Sequence, residues 1–315
     1  MKKYTTAYDV PNINDFADKA LELKKNPFAF DTLGKHKTLG LIFFNPSLRT
    51  RLSTQKAAMS LGMNVIVMNV DGDGWKLETE EGVIMDSDKA EHIKDAFPVI
   101  GQYCDIIGVR SFPSLKDREA DYADKVINDI VKYTSVPVVS LESAIRHPLQ
   151  ALADLMTIKE LSQKAKPKVV LTWAPHPRAL PQAVSNSFAE TMNLADVELV
   201  ITHPKGYELN PEFVGNARVV YDQKEAFKDA DFIYAKNWSS YNDYGQILSQ
   251  DKSWVVDEEK MALTNNAHFM HCLPVRRNVI VTDGVIDSPQ SAVIQQAGNR
   301  EFAVQTVLKE MLENL

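Results

Sequence analysis

Short apolar runs alternate with longer amphipathic stretches almost from end to end of this chain. Residues 39–44, 64–68, 105–109 and 137–141 are β-rich and mostly apolar, and they predict strands buried on both faces. Helical spacing separates them over 47–61, 91–103 and 117–132, with Gly62 placed as a stop after the first. The rhythm then repeats, with strands predicted at 168–173, 198–202, 217–221, 231–234 and 267–271. Two blocks of βαβ alternation predict an α/β fold of two parallel sheets with helices on both faces. A long helix over 147–165, with Pro148 in its first turn, is placed to bridge the blocks. The last stretch, 290–315, is helical, with Leu308, Met311 and Leu312 at helical spacing. Residues 70–88 break the pattern: rich in Gly, Asp and Glu around Trp75, they predict a long excursion off the first sheet, and long loops in compact domains are often functional.

Length and composition narrow the class. The 315 residues fit two domains at about 150 residues each, and 44% apolar with 24% charged residues excludes disorder as the default. With 35 Lys and Arg against 42 Asp and Glu the net charge is −7, a poor match for nucleic acid or an anionic membrane. No apolar run approaches the roughly 20 residues of a membrane span. Lys2 and Lys3 are followed by no apolar segment, so secretion is not expected. Two cysteines, Cys104 and Cys272, fit a reducing cytoplasm rather than a disulfide framework.

Three segments carry chemistry. In Asn45-Pro46-Ser47-Leu48-Arg49-Thr50-Arg51 a strand ends, a proline turns the chain, and Ser47 stands at the N-cap of a helix. Free backbone N–H groups, two hydroxyls and a guanidinium there form an anion cradle suited to phosphate. The same residues also make a well-capped helix with two solvated arginines. Arg49 and Arg51 lie about 200° apart in azimuth, so only one of them can face a shared ligand. In Arg146-His147-Pro148-Leu149-Gln150, His147 and Gln150 share the first turn of the bridging helix. The third, His271-Cys272-Leu273-Pro274-Val275-Arg276, follows a strand and ends in proline, which leaves carbonyls free to accept hydrogen bonds. Neighbouring cations predict a lowered Cys272 pKa. His268, His271 and Cys272 lack a fourth ligand at a recognised spacing, so no metal is predicted. Asp71-Gly72-Asp73-Gly74 and Asp86-Ser87-Asp88 lack the full calcium-loop pattern and read as solvated acids. No dinucleotide fingerprint or Walker lysine loop occurs, and no cofactor is expected.

In this order and spacing, Ser47-Leu48-Arg49-Thr50-Arg51, His147-Pro148-Leu149-Gln150 and His271-Cys272-Leu273-Pro274 resemble the transcarbamylase family over essentially the whole chain. The resemblance implies a carbamoyl phosphate domain at 1–146, completed by the returning helix at 299–315, and an amine-substrate domain at 147–298. His-Cys-Leu-Pro is similar to the ornithine side of the family. Ordinary ornithine members carry an Asp-x-x-x-Ser-Met-Gly loop that reads the free α-amino group. Here Tyr234-Ala235-Lys236-Asn237-Trp238-Ser239-Ser240 has a lysine where an acid is needed, which repels an α-ammonium but not an amide. Trp75, Thr172-Trp173-Ala174-Pro175-His176-Pro177 and Ala262-Leu263-Thr264-Asn265-Asn266 resemble the acylornithine branch.

The resemblance implies attack of the δ-amine of an Nα-acylated ornithine on carbamoyl phosphate, in arginine biosynthesis. It assigns Ser47, Leu48, Arg49, Thr50, Trp75, Arg110, His147, Pro148, Leu149, Gln150, Cys272, Leu273 and Arg300 to carbamoyl phosphate. Arg49, Thr50, Arg110, His147 and Cys272 are the expected catalytic set. Either Cys272 or the phosphate itself takes the amine proton. Ala90, Glu142, His176, Arg178, Lys236 and Arg276 are assigned to the acylornithine. Acetyl-specific members resemble this chain but carry Glu near position 90, and succinyl-specific members carry Pro. Ala90 matches neither, yet it removes a carboxylate that would repel a succinyl group; acetyl stays open because Glu91 is one residue away. A homotrimer is implied, with Trp75 and the Ala90 segment reaching a neighbouring site. A non-catalytic relative that binds phosphate or an amino acid is the remaining alternative.

Overall fold

The computed structural model describes residues 1–315, apart from the side chain of Asp71 in the acidic cluster noted above. The first block forms a five-stranded parallel sheet in the order Lys3–Tyr4, Val138–Glu142, Ile106–Arg110, Thr38–Phe43, Asn64–Asn69. The second forms another, in the order Arg218–Val220, Glu198–Thr202, Lys168–Trp173, Phe232–Lys236, His268–Met270. Parallel pairing leaves both faces to be covered, and the central strands are accordingly mostly apolar and buried after their first residues, with Arg110 and Lys236 at the ends of two of them. Asn64–Asn69 departs from the prediction of burial on both faces. It is the sheet edge, paired only with Thr38–Phe43, and Ile66 is half exposed.

Helix Leu48–Ser60 ends at Leu61, and Gly62 takes φ 79, where an added Cβ would lie 2.1 Å from the Asp31 carbonyl oxygen. The single helix predicted over 117–132 is two, Arg118–Tyr122 and Lys125–Tyr133, because Asp124 adopts φ 46 between them. The excursion at 70–88 carries a helical turn, Val70–Asp73, and its Leu77–Glu78 pairs with Glu91–His92 as a small two-stranded sheet. Asp73 accepts from the Asn69 backbone and side chain, so it is a turn-building acid.

Helix Pro148–Leu161 is buried over its first eleven residues, which is why it shows no polar face. It packs against helices Ile13–Lys25, Ala183–Leu194 and Val293–Leu312, and so touches elements of both blocks. Val293–Leu312, which starts three residues later than its spacing predicted, returns to pack on Pro148–Leu161 and Leu48–Ser60. That return brings Arg300 to the start of Leu48–Ser60. No described helix is long and apolar enough to cross a membrane.

Candidate active site

Residues that end the central parallel strands, or lie just beyond, converge with three helix starts on a cleft of about 240 Å³. Ligand sites of open α/β sheets form at this carboxyl end of the strands. Ser47, Arg49, Thr50, Arg110, Glu142, His147, Gln150, His176, Lys236, Cys272, Leu273 and Arg300 all line it. The three motifs, separated by up to 227 positions in sequence, therefore meet in one place.

Ser47 is the N-cap of its helix, but its hydroxyl makes no capping hydrogen bond and stays free. Arg49 faces the cleft with a buried Nε that has no partner, while Arg51 is exposed. The azimuth argument is thus decided in favour of Arg49. Arg110 is held tightly: Nη1 donates to the Asn45 and Pro46 carbonyls at 2.9 and 2.7 Å, and Nε and Nη2 donate to Glu142 Oε2 at 3.2 and 3.0 Å. Phe112 lies under its guanidinium at 4.1 Å. This leaves one Nη2 hydrogen for a ligand. Burial pushes the Glu142 carboxyl up while Arg110 and Arg300 pull it down. Arg300, also buried, donates to Thr50 Oγ1 at 2.7 Å and to Gln150 Oε1 at 3.1 Å, and its Nε has no partner.

His147 caps helix Pro148–Leu161, and its backbone N–H donates to Ser187 Oγ at 2.7 Å. Burial first, then Arg300 and Arg110, hold its pKa well below the ordinary value, so the ring is neutral. Its Nδ1 is buried without a partner, and Nε2 lies 3.8 Å from Glu142. His271 is likewise held neutral by burial, with Lys236 and Arg49 adding repulsion. Its Nδ1 accepts from the Leu273 N–H at 2.9 Å, which puts the ring proton on Nε2, a buried donor with no partner. Cys272 corrects the sequence expectation: burial outweighs the nearby Lys236 and raises its pKa, so it is a thiol. No group of three or more His, Cys, Asp or Glu that could hold a metal occurs among the described residues.

The other predicted residues fall outside the cleft lining. Leu48 is exposed, contributing only its helix-start backbone, and Pro148 and Leu149 are buried in the first turn behind His147. Trp75 is 61% exposed, with its indole N–H donating to Glu91 at 2.8 Å. Ala90 is exposed, its N–H bonded to the Lys76 carbonyl. Arg178 and Arg276 are exposed at the rim, where Arg276 Nε donates to His176 Nε2 at 3.0 Å. Sequence reasoning missed Phe112, Leu180, Pro181, Val184 and Ile280, which form the apolar wall. For Phe112 a signal existed, since it stands just past the strand that ends at Arg110, with only Ser111 between.

Comparison with known proteins places both halves of the chain in one family. The aspartate/ornithine carbamoyltransferase carbamoyl-P binding domain matches residues 4–160, and the family's Asp/Orn binding domain matches 181–311. N-succinylornithine carbamoyltransferase of Bacteroides fragilis is 61% identical, and that of Bacteroides thetaiotaomicron 60%, each over the full length of both chains. N-acetylornithine carbamoyltransferase of Xylella fastidiosa is 39% identical, over 89% of this chain and 90% of its own. Among solved structures, acetylornithine transcarbamylase complexed with acetylcitrulline superposes with a TM-score of 0.93 at 34% identity, covering 99% of each chain. A Glu-to-Ala variant of N-acetyl-L-ornithine transcarbamylase, complexed with carbamyl phosphate and N-succinyl-L-norvaline, superposes at 0.92 with 35% identity, over 99% of this chain and 100% of its own. With both halves matched and the motifs gathered at one cleft, this chain is a member of the aspartate/ornithine carbamoyltransferase family.

Proposed function

We propose that the protein transfers the carbamoyl group of carbamoyl phosphate to the δ-amine of N-succinyl-L-ornithine, forming N-succinyl-L-citrulline and phosphate. The observation that carries the chemistry is a charge imbalance. Arg49, Arg110, Lys236 and Arg300 line the cleft against the single carboxylate of Glu142, and the Nε atoms of Arg49 and Arg300 and the Nε2–H of His271 are buried without partners. Buried unpaired donors are costly unless a ligand satisfies them, and a small dianion does so.

The phosphate group takes the free N–H groups at the start of Leu48–Ser60, the Ser47 hydroxyl and Arg49. The carbonyl oxygen faces Thr50, the spare Arg110 hydrogen and the neutral His147, donors already in place where charge develops. Gln150 Oε1 keeps one lone pair beyond Arg300 for the carbamoyl NH2, and backbone carbonyls at Cys272 and Leu273 supply further acceptors. The neutral δ-amine attacks the carbonyl carbon, the C–O bond to phosphate breaks, and the amine proton leaves on the departing phosphate. A partly buried thiol with a raised pKa is no base, so Cys272 orients the amine rather than deprotonating it.

Lys236, His176, Arg276 and Arg178 take the carboxylates of the acylornithine, with His176 holding Arg276 in place. Succinyl is preferred over acetyl because no acid occupies position 90 and because the full-length relatives at 60–61% identity bear the succinylornithine name. The alternative acceptor is N-acetylornithine, the substrate named for relatives at 37–39%. The site is further read as completed in a homotrimer, with Trp75 and the Ala90 segment entering a neighbour's cleft; both are exposed and outside the lining of their own. The carbamoyl phosphate domain is drawn at 1–146 with 299–315, the amine-substrate domain at 147–298. A citrulline-forming assay with succinyl-, acetyl- and unmodified ornithine tests the reading. Turnover is expected with succinylornithine first; preference for plain ornithine, or none with any acceptor, overturns it.

A further inference from the structure

Behind the cleft wall lies a buried carboxyl group to which the transfer step assigns no role. Asp154, one turn after Gln150 on helix Pro148–Leu161, is fully buried. Its Oδ1 accepts from Gln150 Nε2 at 2.8 Å and from Gln296 Nε2, on the returning C-terminal helix, at 2.6 Å. Each amide has one donating and one accepting end. Donation to Asp154 turns the NH2 ends inward, so both carbonyl ends point away from the carboxylate.

Both outward ends act on the site. Gln150 Oε1 accepts from Arg300, which also donates to Thr50. Gln296 Oε1 accepts from the His271 backbone N–H at 2.9 Å, and His271 Nδ1 in turn accepts from Leu273 N–H. Leu273 stands at φ 54, a left-handed conformation costly for a side chain with a Cβ and held here by that bond. One carboxylate oxygen therefore connects the helix that starts at His147, the Cys272–Leu273 segment, and Arg300 over Thr50.

We infer that Asp154 is a positioning residue for carbamoyl phosphate: its Oδ1 orients the amides of Gln150 and Gln296, so that Gln150 Oε1 and the Cys272–Leu273 segment face the carbamoyl group. The inference rests on the carbamoyl-transfer reading of the cleft. What matters in this arrangement is an acceptor at the Oδ1 position and not negative charge. Asparagine retains that acceptor, with its NH2 at the Oδ2 position, where the Tyr234 hydroxyl lies alongside and can accept from it. Leucine has similar volume and no acceptor, so both amides are freed to flip.

The test compares steady-state kinetics of the wild type with Asp154→Asn, Asp154→Leu and Gln296→Met, alongside thermal melting. Asp154→Leu is expected to lose about 30-fold in kcat/KM, chiefly through KM for carbamoyl phosphate, with KM for the acylornithine within about twofold; that is a loss of about 2 kcal/mol. Asp154→Asn is expected within about fivefold of wild type, and Gln296→Met about tenfold below it. If the leucine variant does not fold, the Asn and Gln296→Met variants carry the same contrast. Asn losing as much as Leu, or as much as Gln296→Met, overturns the orientation account. So does a folded Leu or Gln296→Met variant with wild-type KM for carbamoyl phosphate. A wild type that forms no citrulline refutes the carbamoyl-transfer reading instead, which keeps the two failures distinct.

Discussion

The two ends of the cleft are built differently. At the phosphate end Thr50, Arg110, Gln150 and Arg300 are buried and joined to one another or to Glu142 by hydrogen bonds drawn from four separate parts of the chain, with the buried ring of His147 3.8 Å from Glu142. At the end proposed for the acylornithine Lys236 is buried, but His176 is partly exposed, Arg178 and Arg276 are exposed, and Trp75 and Ala90 lie outside the lining altogether. Preorganised donors cost little reorganisation when charge develops, so the phosphate end is where transition-state stabilisation belongs. Exposed charges are screened and mobile, so the acyl end sorts substrates and gains its order from what binds there.

Arg49→Ala tests the first half of that contrast most severely. It is expected to cost at least about 100-fold in kcat/KM, the loss typical of a transition-state charge contact. A variant keeping more than half of wild-type efficiency would remove Arg49 from the reaction. Trp75→Ala is expected to cost about 20-fold, and mixing that chain with Arg49→Ala chains should restore part of the activity through hybrid clefts. Verified mixed trimers with no recovery would mean that each chain completes its own site. Ala90→Glu is the mildest change, with about a tenfold drop in kcat/KM for succinylornithine relative to acetylornithine, a shift of about 1.4 kcal/mol. An unchanged ratio of the two acyl substrates would detach position 90 from acyl selection.

Much of the fold was legible because parallel strands buried on both faces are continuous apolar runs, and the strands 168–173 and 198–202 fall where the sequence put them. Errors arose where local signals compete with tertiary placement. Nothing in Asn64–Asn69 tells an edge strand from a central one, and Lys3–Tyr4 is too short to show a period although it closes the sheet beside Val138–Val139. The helix over 117–132 reads as continuous in its spacing, whereas the backbone breaks it at Asp124, whose carboxylate accepts from Ser143 Oγ at 2.6 Å and from the Ala144 N–H.

The same division runs through the site. The residue types, their order and the helix starts that carry them are properties of the sequence, since caps, prolines after strands and the lysine at 236 act through local geometry and charge. Which of Arg49 and Arg51 faces inward, that Cys272 stays protonated, and that Asp154 reaches the distant amide of Gln296 as well as that of Gln150 depend on burial and on contacts across as many as 250 positions. Desolvation and long-range hydrogen bonding exist only once the chain has closed on itself, and no local pattern encodes their sign.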